Sequence, residues 1–331
     1  MQPQLPWPLV RQNPWYPGQF GVSGTSTETG KRTSPTGSVF YVDPNYTGVS
    51  DNRDGTNPLN PLRTIGAALG KCQSYRGDVI HVATNSMAEY GEGGQAVANA
   101  PYPIPISEEV EVTVSGVKIV GANFGTMGVP WTPASNGGTC ITVNAFDVTI
   151  EGFLFTEGLV YAGLNAISAE WNGTTLFGDN MTVRNCYFDD TVDIAIQLEF
   201  SWSCDIYNNY FQECDTYGIY SAFVGSGAAY NRICNNWFHD CAIAIAFLNA
   251  GCDDNLIHAN HVYNASAAIA AAATNEGFDL AAGDDNMVTD NYFSCLLPVG
   301  VGDYNDLNSA GTGDAWVGNH CMNGLAVTNP T

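Results

Sequence analysis

The chain has 331 residues, with 33 acidic against 10 basic side chains and a net charge of −23; 45% of it is hydrophobic and only 13% is charged. With 15 Phe, 16 Tyr and 7 Trp it can fill a large core, which excludes wholesale disorder. The acidic balance excludes nucleic acid and anionic membrane surfaces as natural partners, because both repel a protein of this sign.

With 36 Gly and 16 Pro and few charged residues, the polar surface must come from Asn, Ser, Thr and turns, as in a turn-rich β protein. No run of 18 apolar residues is present, and the proline-rich start has no apolar segment, so neither a membrane-spanning helix nor a secretory signal is expected. None of the ten cysteines lies in a CxxC pair and most fall in apolar segments, so reduced, buried thiols are expected.

Residues 1–37 lack periodicity, are rich in Pro, Gly, Ser and Thr, and carry Trp7 and Trp15. They read as an extended arm able to anchor the chain to a neighbour. From residue 38 to about 325 the pattern changes to one long β domain, with 38–75 as its N-terminal cap region and 326–331 as a tail. Its first part predicts a strand, a turn-rich loop containing DNRDG (51–55), and a short helix near Thr64 to Lys71.

Beyond the cap the chain repeats. The segments TIEGFLF (149–155), TVRNCYF (182–188), DIYNNYF (205–211), RICNNWF (232–238), LIHANHV (256–262), MVTDNYF (287–293) and WVGNHCM (316–322) align. The spacings between Phe155, Phe188, Phe211, Phe238, Val262 and Phe293 are 33, 23, 27, 24 and 31 residues. Periods of this size mark a solenoid. Each copy continues into a second strand: AIQLEF, GIYSAF, AIAIAF, AAIAAA within the Ala265–Ala273 run, and VGVGDY. Each strand would pair in parallel with its equivalent one coil later, so equivalent side chains stack in columns.

One predicted column is a buried ladder of Asn209, Asn236, Asn260, Asn291 and Asn319, headed by Cys186, with each Asn in the left-handed conformation of a sharp bend. Strand alternation puts Tyr187, Tyr210, Trp237, His261, Tyr292 and His320 outside and Phe188, Phe211, Phe238, Val262 and Phe293 inside. Cys214 and Cys241 share a further buried column.

YVDPN (41–45), DGTNPLNPLRTIGAAL (54–69), DVIHV (78–82) and VKIVG (117–121), followed by Asn-bend coils, resemble the pectate-lyase-like family of right-handed parallel β-helices. The resemblance covers residues 38–325 and implies a three-sheet solenoid capped by the helix near residues 64–71. That superfold hosts polysaccharide lyases, glycoside hydrolases, adhesins and phage tailspike or capsid-attached proteins, so the fold does not choose the function. An arm followed by a solenoid is closest in character to the phage virion proteins. It implies a homotrimer on the virion surface that reaches other virion proteins through the arm and host polysaccharide through the solenoid. A secreted enzyme of the same fold is the alternative, and a bacterial surface adhesin the third.

A lyase needs a basic residue as its base, yet eight of the ten basic residues precede the repeats, leaving Arg184 and Arg232. A hydrolase needs paired carboxylates. Asp253 and Asp254, and Asp284 and Asp285, occupy the same bend in successive coils, where they could serve catalysis, gather a cation at Asp253 and Asp284, or simply form turns. No cofactor is implied; Ca2+ is the ion such aspartates would hold. His258 and His261, read as one strand, point to opposite faces and form no joint metal site. The outer aromatics Tyr187, Tyr210, Trp237 and Tyr292 offer a contact surface for glycans or for a neighbouring subunit.

Overall fold

A computed structural model describes residues 37–83, 105–122, 128–156, 164–170, 178–189, 192–222, 227–248, 251–264, 276–279, 285–295 and 315–321. The arm with Trp7 and Trp15, the Ala265–Ala273 run, the VGVGDY segment, Asp284 and the 326–331 tail lie outside the described residues.

Three sheets wrap one core, with ten, nine and seven strands among the described residues, and every pairing within them is parallel. The chain visits the sheets in rotation. Thr182–Arg184 lies in the first sheet, Tyr187–Phe188 in the second and Val192–Leu198 in the third; Asp205–Tyr207 then returns to the first. A β-helix forms because each apolar strand is only two to seven residues long in these coils and is closed by a bend too tight for a hairpin. The short helix Ile65–Leu69 covers the first coils. Thr64 caps it by accepting from the Ala67 N–H, and the Glu108 carboxylate accepts from the N–H groups of Ile65 and Gly66 at 2.9 and 2.8 Å. No helix among the described residues is long and apolar enough to cross a membrane.

The predicted columns are present in register. Phe155, Phe188, Phe211 and Phe238 stack inside at centroid distances of 5.2, 4.7 and 4.5 Å. Isoleucines line the third sheet through Ile141, Ile167, Ile196, Ile219 and Ile245. Cys72, Cys140, Cys186, Cys204, Cys214, Cys234, Cys241 and Cys252 are free thiols, and Cys214 and Cys241 are buried.

Four sequence expectations need correction. The ladder asparagines are not left-handed. That conformation belongs to the residue before each, namely Asn208, Asn235, Ala259, Asp290 and Gly318, with φ between 52° and 71°. Putting the turn there frees the next side chain to point inward and bond along the axis. The last aligned segment starts one residue earlier than WVGNHCM, because Ala315 pairs with Met287, while Asn319 beside Asn291 and His320 beside Tyr292 stand as expected. In the coil containing the alanine run, the strand that pairs with Ile243–Phe247 is Glu276–Asp279, since eleven residues intervene after Asn264. His258 and His261 share no strand: the bend at Ala259 puts them on the outer faces of the first and second sheets.

Candidate functional site

The bend between the first and second sheets is held by the Asn ladder. Asn209 and Asn236 each donate N–H and Nδ2 to the Oδ1 of the next Asn, at 3.0–3.1 Å, and donate Nδ2 also to a carbonyl one coil back, at 2.9 Å. Asn260 and Asn291 repeat the pattern up to Asn319. These amides satisfy backbone groups that a bend would otherwise bury unpaired. They are framework.

A second ladder, absent from the sequence reading, holds the bend that enters the first sheet. The Asn231 amides reach Asn255 Oδ1 and the Ser201 carbonyl, and Asn255 reaches Asn286 and Ala228 in turn. Asp254 and Asp285 are the exposed left-handed residues immediately before Asn255 and Asn286, at φ 55° and 58°. Asp253 is half-buried beside them. The Asp-Asp-Asn motif thus places its second carboxylate outward at a turn and its amide inward in a ladder. The sequence signal was available as an Asn two residues before each inward Ile or Val, but Cys204 and Met181 take that place in earlier coils and hide the period.

The two arginines of the array are both committed. Arg184 pairs with Glu151 at 2.9 Å and bonds Tyr207, and Arg232 pairs with Asp205 at 3.0 Å. Burial opposes the Arg184 charge, but Glu151 and Tyr207 outweigh it and hold the guanidinium protonated. It cannot act as the base of a lyase.

The outer face of the second sheet carries the aromatic file. Tyr187, Tyr210, Trp237, His261, Tyr292 and His320 occupy one register position on consecutive rungs. Tyr187 stacks on Tyr210 at 4.9 Å and 17°, and His261 on Tyr292 at 4.7 Å and 12°, so those rings spend their faces on one another. The file breaks between Tyr210 and Trp237. Trp237 tilts 50° from His261, while Tyr210 leans toward His239 in the neighbouring column. Trp237 thus touches His261 at 4.2 Å without stacking flat on it, and its half-buried ring shares a strand with His239, in register with Tyr210 and Gln212 of the adjacent rung.

The ends of these two strands hold a site the sequence reading missed. Gln212 and His239 occupy one register position on adjacent rungs, and Glu213 and Asp240 follow them as left-handed residues at φ 51° and 54°. One donor atom from each of Glu213, His239 and Asp240 lies within 4.8 Å of the others. The signal was the alignment of FQEC (211–214) with FHDC (238–241). Burial, then Cys241, Asp240 and Glu213, push the Tyr210 hydroxyl up to about 12, which keeps it a donor at neutral pH. Burial, with His239 adding to it, lowers the His261 pKa and favours a neutral imidazole within the stack.

On the third sheet Glu170 and Glu199 meet on adjacent rungs. Ser168 donates to Glu170 at 2.6 Å and the Gln197 amide donates to Glu199. Burial pushes the Glu199 carboxyl up, Gln197 partly counters this, and Glu170 adds to it.

A three-sheet parallel solenoid with ladder-held bends and an aromatic outer face defines a β-helix protein. The chain belongs to the right-handed β-helix family, described as "Right handed beta helix region", whose profile matches residues 109–293. No curated protein is significantly similar to it in sequence. Among solved structures it is similar to the GH136 lacto-N-biosidase of Eubacterium ramulus at 12% identity and a TM-score of 0.58, over 86% of this chain and 56% of that one. It is also similar to ORF18 of Geobacillus virus E2 at 13% identity and a TM-score of 0.48, over 85% of this chain and 60% of that one. The DFA-IIIase of Arthrobacter chlorophenolicus A6 matches at 12% identity and a TM-score of 0.48, over 85% of this chain and 76% of that one. The chain thus spans three fifths or less of the first two proteins, and the likeness to the lacto-N-biosidase, at 12% identity, speaks to the fold alone.

Proposed function

We propose that the protein is a glycan-contacting β-helix of a phage particle, anchored through residues 1–37 and projecting its solenoid outward, with three copies associating. The observation that carries the glycan contact is Trp237. Its half-buried indole is tilted 50° to His261 where the Tyr187–Tyr210 and His261–Tyr292 pairs stack flat, and it lies in register with Tyr210 on the strand that carries His239. Amphipathic rings beside convergent polar groups are what recognition of a sugar requires, since its ring has an apolar face and a hydroxyl rim. The anchoring role is supported by the arm's composition and its tryptophans at 7 and 15. The net charge of −23 favours neutral over acidic polysaccharide.

Two measurements test the reading. On a panel of neutral and acidic polysaccharides the intact protein retains a neutral glycan, and Trp237→Ala weakens retention by about 2 kcal/mol or more with an unchanged circular dichroism spectrum. Retention that survives the substitution contradicts the assignment of the face. Deleting residues 1–37 leaves a folded solenoid that no longer joins its particle; normal incorporation contradicts the anchoring role.

A second reading, glycoside hydrolysis, is favoured by one observation: Glu199, with its raised carboxyl, sits beside Glu170, the pairing of acid and nucleophile or base that this chemistry uses. Asp253, Asp254, Asp284 and Asp285 remain the alternative carboxylates for it. Sugar release lost in Glu199→Gln would establish it.

A further inference from the structure

We infer that Glu213, His239 and Asp240 form a binding site for a first-row divalent transition-metal ion, of which Zn2+ is the representative. The site lies at the corner where the second sheet turns toward the third. Glu213 and Asp240 sit at one register position on adjacent rungs, so two carboxylates from different coils share one corner, and the His239 ring comes from the end of the strand that leads into Asp240. Donor atoms from the three groups lie within 4.8 Å of one another, so a small side-chain adjustment brings them to the spacing of ligands around one ion.

A second observation points to a ligand. His239 Nδ1 has no access to solvent and makes no hydrogen bond among the described residues, although Asp240 Oδ2 lies 3.4 Å away. The His239 side chain is 29% exposed, but this nitrogen is sheltered, and its one charged neighbour meets it at ion-pair distance without hydrogen-bond geometry. An ion between the two would use that nitrogen's lone pair. Asp240 is only 5% exposed, so this carboxylate is already withdrawn from water, while half-buried Glu213 leaves the mouth of the site accessible. Stacking on Tyr263 at 5.0 Å and 13° fixes the imidazole orientation, which lowers the entropy lost on binding.

The donor set selects the ion. One imidazole nitrogen with two carboxylates suits zinc and its neighbours, whereas Ca2+ prefers six to eight oxygens. Three protein ligands leave at least one position open to water or to a sugar hydroxyl. This site does not depend on the glycan reading, and it is distinct from Asp253 and Asp284.

The test uses the full-length protein, stripped with a chelator and titrated calorimetrically with ZnCl2, with Co2+ absorption as a second readout. The expected result is one saturable equivalent and a visible Co2+ band of an imidazole-ligated ion. His239→Ala and Glu213→Gln each weaken binding at least about tenfold, the loss that even outer partners of metal ligands produce. Glu213→Gln alters a half-buried surface side chain and so keeps the fold testable. His258→Ala, on another sheet, leaves binding unchanged. Absence of a saturable equivalent, or binding that survives both His239→Ala and Glu213→Gln, overturns the proposal.

Discussion

Asn236 makes four hydrogen bonds through one side chain. Its Oδ1 accepts from both amides of Asn209, and its Nδ2 donates to the Ile206 carbonyl and to Asn260 Oδ1. All of them are buried, so Asn236→Ala leaves the Asn209 N–H without its acceptor and takes one donor from both the Ile206 carbonyl and Asn260 Oδ1. At about 1–3 kcal/mol for each orphaned group, the substitution costs roughly 3 kcal/mol, read as a lower urea midpoint at unchanged slope. A loss under about 1 kcal/mol would mean that water replaces the amide. The histidines act differently. Burial lowers the pKa of His81 and His261 below the ordinary 6.5, so the folded state binds fewer protons than the unfolded chain. Stability is therefore full above pH 6.5 and declines as the pH falls below it. His261→Tyr, which copies Tyr210 and Tyr292 in the same file, should flatten that acid limb in pH-dependent thermal melts; an identical limb would exclude His261 as a contributor. The Asn ladder was legible in sequence because an amide recurring at one offset from an inward Phe has few other uses. The residue that bears the turn was not, because Asn, Asp, Gly and even Ala259 all occupy it.

Strands and bends explain which parts of the site could be foreseen. The outer aromatic file followed from period-two alternation, but the break at Trp237 depends on ring tilts that no spacing encodes. The Glu213, His239 and Asp240 group escaped because its members come from two coils, and each coil alone shows only a turn carboxylate. Packing inside the third sheet sets a sharper limit. Cys140, Ala166, Ala195, Gly218 and Ala244 precede the aligned isoleucines, forming a column of small residues. A Cβ on Gly218 would lie 2.6 Å from the Ala244 carbonyl oxygen and 2.8 Å from the Phe238 ring. Gly218→Ala, which in an ordinary strand would raise stability, should here cost about 1–3 kcal/mol by denaturant titration. A neutral or stabilising outcome would show that the Phe column can shift.

Across the whole molecule, each coil touches mainly its neighbours, so stability is distributed along the axis and the outer faces are free to vary without loss of the fold. That separation is why the sequence announces the solenoid through its interior columns and says much less about its surface chemistry. It also lets one β-helix carry an aromatic face with the Glu213, His239 and Asp240 corner at its edge, and a carboxylate pair on another sheet. The most direct measurement is a crystal structure of the intact protein with an oligosaccharide from whichever neutral polysaccharide it retains. The account predicts a sugar ring against the Trp237 indole with hydroxyls toward Tyr210, Gln212 and His239. A sugar seated on the third sheet at Glu170 and Glu199, or on the first sheet, would contradict it.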